Sequence, residues 1–146
     1  QGVASIAQEA ADNYAVYGLD HTRPVELRAI NTNELISWAS ARLGRPIIVP
    51  NLDASGYRFM GGRIVATPHG PAALFMYGNG DGLRLVMLTR PMALDRTTSM
   101  EPVSKAGVNG FAWATRGMGY SLVGPTDSQS LHPIADEARR QLASDI

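Results

Sequence analysis

Apolar residues near the start of the chain recur at three- and four-residue steps. Val3, Ile6, Ala10, Tyr14 and Tyr17 make one stripe, which predicts a helix stopped at Gly18. Asp20 to Pro24 is polar and irregular, and Val25-Glu26-Leu27 reads as a short extended piece. Asn31 followed by Glu34 is a variant capping box, in which each side chain can take an orphan backbone N–H, and it opens a second helix. Leu35, Ile36, Ala39 and Leu43 give that helix its apolar face, with Trp38 beside it. Gly44 suits the left-handed position past the last turn, and Pro46 prevents continuation.

From Tyr57 the period shortens to two. Tyr57 and Phe59, then Ile64 and Ala66, predict two strands joined by a hairpin turn at Gly61-Gly62-Arg63, because paired glycines permit positive φ. Ala72 to Tyr77 is apolar on both faces, as a central strand is. Gly78-Asn79-Gly80-Asp81-Gly82 is a second turn. Leu83 to Thr89 is the next strand, with Leu83, Leu85 and Met87 on one face and Arg84, Val86 and Leu88 on the other. An edge strand is expected near Ser99 to Val103, where Pro102 is tolerated, and Asn109-Gly110 is a hairpin signal. Phe111 to Thr115 and Tyr120 to Val123 are either its flanking strands or the next pair, broken by Gly117-Met118-Gly119. Leu131, Ile134, Ala135, Ala138 and Leu142 form the stripe of a closing helix, with Ser130 as cap and Pro133 in the first turn.

The order is helix, helix, about five to seven strands, helix. Segregation of this kind predicts an α+β domain: an antiparallel β-meander with two N-terminal helices and one C-terminal helix packed on one face. Strands do not alternate with helices, which argues against a doubly wound nucleotide-binding fold. The 146 residues suit a single domain, 1–146, and 45% hydrophobic with 18% charged residues is a globular composition.

Charge narrows the partners. Formal net charge is zero, and the basic residues are scattered among the acids, so no nucleic-acid partner is expected. Arg139-Arg140 reads as the solvated face of a helix. Absence of cysteine excludes disulfides, thiolate nucleophiles and iron–sulfur clusters. No apolar run is long enough to span a bilayer, Pro46-Ile47-Ile48-Val49-Pro50 being far too short, and no signal peptide is visible. Because the chain starts at Gln1, we read it as a fragment or processed product, with room for a membrane segment upstream.

Candidate chemistry is sparse. The Gly78–Gly82 run precedes a strand, whereas a phosphate loop opens a helix, and Asp81 alone is not a calcium loop. No serine sits in a Gly-x-Ser-x-Gly elbow; Asp53-Ala54-Ser55-Gly56 is turn-like. His21, His69 and His132 are the available bases. Six methionines (Met60, Met76, Met87, Met92, Met100, Met118) with those histidines form a soft-metal inventory, and His69 with Met60 across the hairpin is its best pairing. Methionine is equally an ordinary core filler. Asp136-Glu137 are adjacent and point to different helix faces. The aromatics Trp38, Phe59, Phe75, Tyr77, Phe111, Trp113 and Tyr120 read as core. No catalytic, cofactor-binding or metal-ligating set is assigned.

An ordered series of short motifs adds to this. Arg23-Pro24-Val25-Glu26 is followed by Leu35 through Trp38 to Arg42-Leu43-Gly44-Arg45-Pro46. Then come Pro50-Asn51-Leu52, Gly56-Tyr57, Gly61-Gly62-Arg63, Pro71-Ala72-Ala73, Phe75-Met76-Tyr77, Gly119-Tyr120 and the closing helix. Over roughly Tyr14 to Leu142 the series resembles the extracytoplasmic domain of bacterial transmembrane anti-sigma factors that control extracytoplasmic-function sigma factors. The family's histidine directly before the proline is replaced by Arg23, with His21 two residues earlier. The resemblance implies a non-enzymatic periplasmic regulatory domain of a single-pass inner-membrane protein. It implies an upstream membrane helix, a sigma factor bound through an upstream cytoplasmic domain, and an envelope protein or protease as a further partner. A periplasmic small-ligand or soft-metal binding module without a transcriptional role is the alternative, and a small hydrolase or isomerase a third reading.

Overall fold

The computed structural model describes residues 3–19, 25–93, 97–105 and 107–143. The first stripe folds as α1 (Val3–Asn13) and runs on through a π-helical turn, Tyr14–Gly18. The extended piece Val25-Glu26-Leu27 becomes a two-residue strand, β1 (Leu27–Arg28).

Helix α2 (Thr32–Leu43) is entered through a 3-10 turn at Ala29–Asn31. The expected capping box does not form: Asn31 makes no side-chain bond to the backbone, and its Nδ2 reaches Glu34 Oε1 at 3.4 Å. The Thr32 hydroxyl turns back to donate to Ala29 O. The C-terminus follows expectation, with Gly44 at φ 72 and its N–H on Ser40 O.

Helix α3 (Ser128–Ala143) begins earlier than its stripe suggests. Asp127 is the cap, accepting from Ser130 N at 3.2 Å and from the Ser130 hydroxyl at 2.9 Å. Ser130 therefore lies in the first turn, and Pro133 falls in the second.

The remaining strands are β2 (Arg58–Thr67), β3 (Gly70–Gly78), β4 (Arg84–Pro91), β5 (Glu101–Lys105), β6 (Val108–Thr115) and β7 (Met118–Gly124). All pairings are antiparallel, in the order β1-β2-β3-β4-β7-β6-β5. The meander thus runs in two parts, β1 to β4 and β5 to β7, joined along β4–β7. Pro102 lies on the edge strand β5, as its missing N–H requires.

Two glycine signals sit inside strands and not at turns, and a third straddles a turn. Gly61-Gly62 lies within β2, and the chain reverses at Pro68-His69, between Thr67 and Gly70. The glycines serve close approach. A register shift between Phe59 and Gly61 bulges the strand, Gly61 has φ +136, and a Cβ there would collide with the Leu27 carbonyl. A Cβ at Gly62 would stand 2.5 Å from Leu74 O and 3.1 Å from Leu35 on α2. Asn109-Gly110 likewise lies within β6, where a Cβ would strike Leu122 O on β7. The β6–β7 turn is Arg116-Gly117, with φ 54 and 81, so Met118-Gly119 belong to β7.

The helices occupy both faces of the sheet, not one. Helices α2 and α3 cover Ala73, Phe75 and Tyr77 of β3, Leu85 and Met87 of β4, and Trp113 of β6. Helix α1 covers the opposite parity: Ala72, Leu74, Met76, Val86, Leu88, Ala112, Ala114 and Val123. Two separate cores result, because alternate side chains of a central strand point to opposite faces. Between α2 and β2 the loop is pinned by the Tyr77 hydroxyl, which donates to Pro50 O at 2.7 Å inside the α2–α3 core.

Candidate functional site

Helix α1 buries Val3, Ile6, Ala7, Ala10 and Ala11, and the π-turn after it buries Tyr14. One charged residue shares that face: Glu9, 7% exposed. Opposite it, strand β4 continues its inward parity from Val86 and Leu88 to Arg90, 3% exposed. The two side chains meet under the helix. Arg90 Nε donates to Glu9 Oε1 at 2.7 Å, and Nη2 donates to Oε2 at 3.3 Å. Nη2 also donates to Ser5 Oγ at 2.9 Å, one turn back on α1, and Nη1 donates to Pro91 O at 3.3 Å.

His69 closes the cluster from the β2–β3 turn. Its backbone N–H donates to Thr67 Oγ1 at 3.0 Å, and that hydroxyl donates to Gly70 O at 2.8 Å, which fixes the turn. Its Nδ1 lies 2.7 Å from Glu9 Oε2 and 3.4 Å from Arg90 Nη2. A carboxylate can only accept, so we assign the proton to Nδ1. The Glu9 carboxylate then accepts from both neighbours, and the buried arginine is charge-matched.

This geometry is suited to holding α1 in place. Both Glu9 oxygens are engaged by fixed donors. Ser5 faces a guanidinium here, and a guanidinium cannot take up a proton to create a nucleophile. The cluster is a latch between the first helix, the β2–β3 turn and a central strand.

The candidates read from sequence are dispersed. His21 and Arg23 lie outside the described residues. His132 is exposed on α3, its ring edge-on to Phe111 at 5.2 Å. The pairing of His69 with Met60 does not form. Met60 sits at the opposite end of β2, where its sulfur approaches Gly78, while His69 is engaged with Glu9. Met76 and Met87 face opposite cores, as adjacent parities must. Among the described residues no three His, Cys, Asp or Glu side chains converge as metal ligands. Asp81 and the Gly78–Gly82 run form the β3–β4 loop, shaped by Asn79, whose Oδ1 accepts from Asp81 N and Leu83 N, both at 2.9 Å. Asp136 and Glu137 pair with Arg139 and Arg140 along the outside of α3. Phe59, Phe75 and Tyr77 pack together, and Trp113 stacks on Tyr120 at 5.7 Å. Arg63 lies over the Tyr17 ring at 4.0 Å, a half-buried contact that ties the π-turn to β2.

Glu9 and Arg90 were not among the residues singled out from sequence. The signal was there: an acid on an apolar helical stripe, and a base at the inward parity of an apolar strand.

Comparison with protein-family models, with curated proteins and with solved structures finds no match. Among the described residues no helix is long and apolar enough to cross a membrane.

Proposed function

We propose that this chain is a non-enzymatic regulatory domain: the periplasmic sensory part of a transmembrane anti-sigma factor, which couples an envelope signal to sigma-factor release. In this reading the membrane helix and the sigma-binding domain lie upstream of α1. The motif series from Arg23-Pro24 to Gly119-Tyr120 supports it. The observation that carries it is the seating of α1. This helix has a core of its own on its face of the sheet, and it is latched by Glu9, Arg90 and His69. Its docking can change without dismantling the α2–α3 core, as a transmitter requires. A signal acts by favouring either the docked or the released helix, in proportion to its differential affinity for the two.

The test joins the domain to its upstream span and sigma-binding domain and reads a sigma-dependent reporter. Ile6→Glu, which puts a charge at a fully buried position of α1, shifts reporter output. Gln8→Ala, on the exposed side of the same helix, leaves output near the parent's. Unchanged output with Ile6→Glu sinks the transmitter role.

A further inference from the structure

Gly119 leaves a notch in β7 on the face that α1 covers. It pairs with Arg90 of β4, and it shares the parity of Val123, which points into the α1 core. A Cβ at Gly119 would collide with the Met92 sulfur and stand 3.3 Å from Ile6 Cδ1. The thioether therefore fills the space that a side chain would take, against a residue of α1 that is 0% exposed. Met92 follows directly on β4, and its backbone N–H donates to Gly117 O at 2.8 Å, which holds it beside the β6–β7 turn.

The six methionines differ in how far solvent reaches them. Met76 and Met87 are 0% exposed and Met118 is buried, whereas Met60, Met92 and Met100 are half-buried. Met100 packs on the α2–α3 core, and the Met60 sulfur lies against Gly78. Met92 is the half-buried methionine whose sulfur shares a notch with Ile6, two residues beyond Arg90 of the latch.

We propose that Met92 is an oxidation site, at which hydrogen peroxide forms the sulfoxide and so loosens α1. The peroxide O–O bond breaks, one oxygen bonds to the sulfur lone pair, its proton passes to the departing hydroxide, and water leaves. Sulfur is oxidised by two electrons and the peroxide is reduced by two. The product carries a polar oxygen on what was an apolar gap-filler. Gly119 and Ile6 present carbon on their sides of the notch, so the oxygen is better satisfied in water, and that favours the released helix over the docked one. The oxidation and the loosening stand by themselves; their use as a signal rests on the transmitter reading.

The experiment adds graded hydrogen peroxide to the M60L/M100L protein, maps oxidation by peptide mass and follows amide hydrogen exchange. Leucine conserves volume at both replaced positions. Met92 is expected to oxidise at least about tenfold faster than Met76 and Met87, as its exposure favours. Exchange of the α1 amides then rises about tenfold, the scale of one polar group left without a partner, while α2 and α3 stay unchanged. The M60L/M92L/M100L protein fills the notch without a sulfur and keeps α1 exchange at its starting level under peroxide. Oxidation of Met92 no faster than that of Met76 and Met87, unchanged α1 exchange once Met92 is oxidised, or the same rise in the M60L/M92L/M100L protein overturns the proposal. A rise in α1 exchange with no response of the sigma-dependent reporter to peroxide overturns the transmitter reading and leaves the oxidation site standing.

Discussion

Glu9 and Arg90 stand 81 positions apart and meet in a two-pronged ion pair whose side chains are 8% and 4% exposed. Removing Glu9 leaves Arg90 buried without its counter-charge, and removing Arg90 leaves the buried Glu9 with His69 alone. Glu9→Leu or Arg90→Leu alone is expected to cost about 3–5 kcal/mol, and the double replacement to recover most of that. Urea unfolding of the four proteins measures it. Additive losses would mean that the pair is not coupled.

Gly61→Ala and Gly80→Ala separate two uses of glycine. Gly61 holds φ +136 with Leu27 O against its missing side chain, whereas Gly80 has open space and an ordinary φ. The first change is expected to cost about 2–4 kcal/mol through strain and loss of the β1 pairing, the second to stay within about 0.5 kcal/mol. Equal midpoints in thermal unfolding would return Gly61 to the status of a turn residue.

Tyr77 sets an alkaline limit. Burial pushes its phenol well above the ordinary 10.0, so the folded protein keeps it neutral where the unfolded chain ionises. Its contribution is complete below pH 10 and is lost as pH rises beyond that. Tyr77→Phe is expected to flatten the decline above pH 10, at a cost of about 1 kcal/mol at neutral pH for the lost bond to Pro50 O. A profile that declines as steeply as the parent's would assign the effect elsewhere.

Acid stability is tied to the start of α3. The hydrogen bonds from Ser130, its hydroxyl first and its N–H second, hold the exposed Asp127 carboxyl below its ordinary 3.8. The cap is therefore in force above pH 3.8 and weakens as pH falls through the lower folded value. Asp127→Asn, which can still cap, should keep neutral-pH stability and lose part of the acid slope. Asp127→Ala should lower Tm at neutral pH. Asn and Ala variants that melt together would remove the capping role.

Period and parity made most of the fold legible. The stripes at Ile6, Leu35 and Leu131 became helices, and the two-sided run Ala72–Tyr77 became a central strand. Turn glycines were the weak point. A glycine that reverses the chain and one that admits a neighbouring backbone look alike locally, and the partners that decide, Leu27 for Gly61 and Leu122 for Gly110, are remote. Which side of the sheet each helix takes was hidden for a related reason. A stripe states that a helix has an inner face, not against which parity of the strands. The latch was half visible, since both charges sit on core faces, but only the fold brings helix and strand together.

The seam between β4 and β7 has a consequence for the order of assembly. It pairs Val86 with Val123, so it cannot close until synthesis has passed Gly124. Helix α1 rests on β4, β6 and β7. The first helix of this domain to be synthesised therefore waits for some of its latest strands before its seat exists. Such long-range closure slows folding and leaves the waiting apolar stripe open to other binders in the interval.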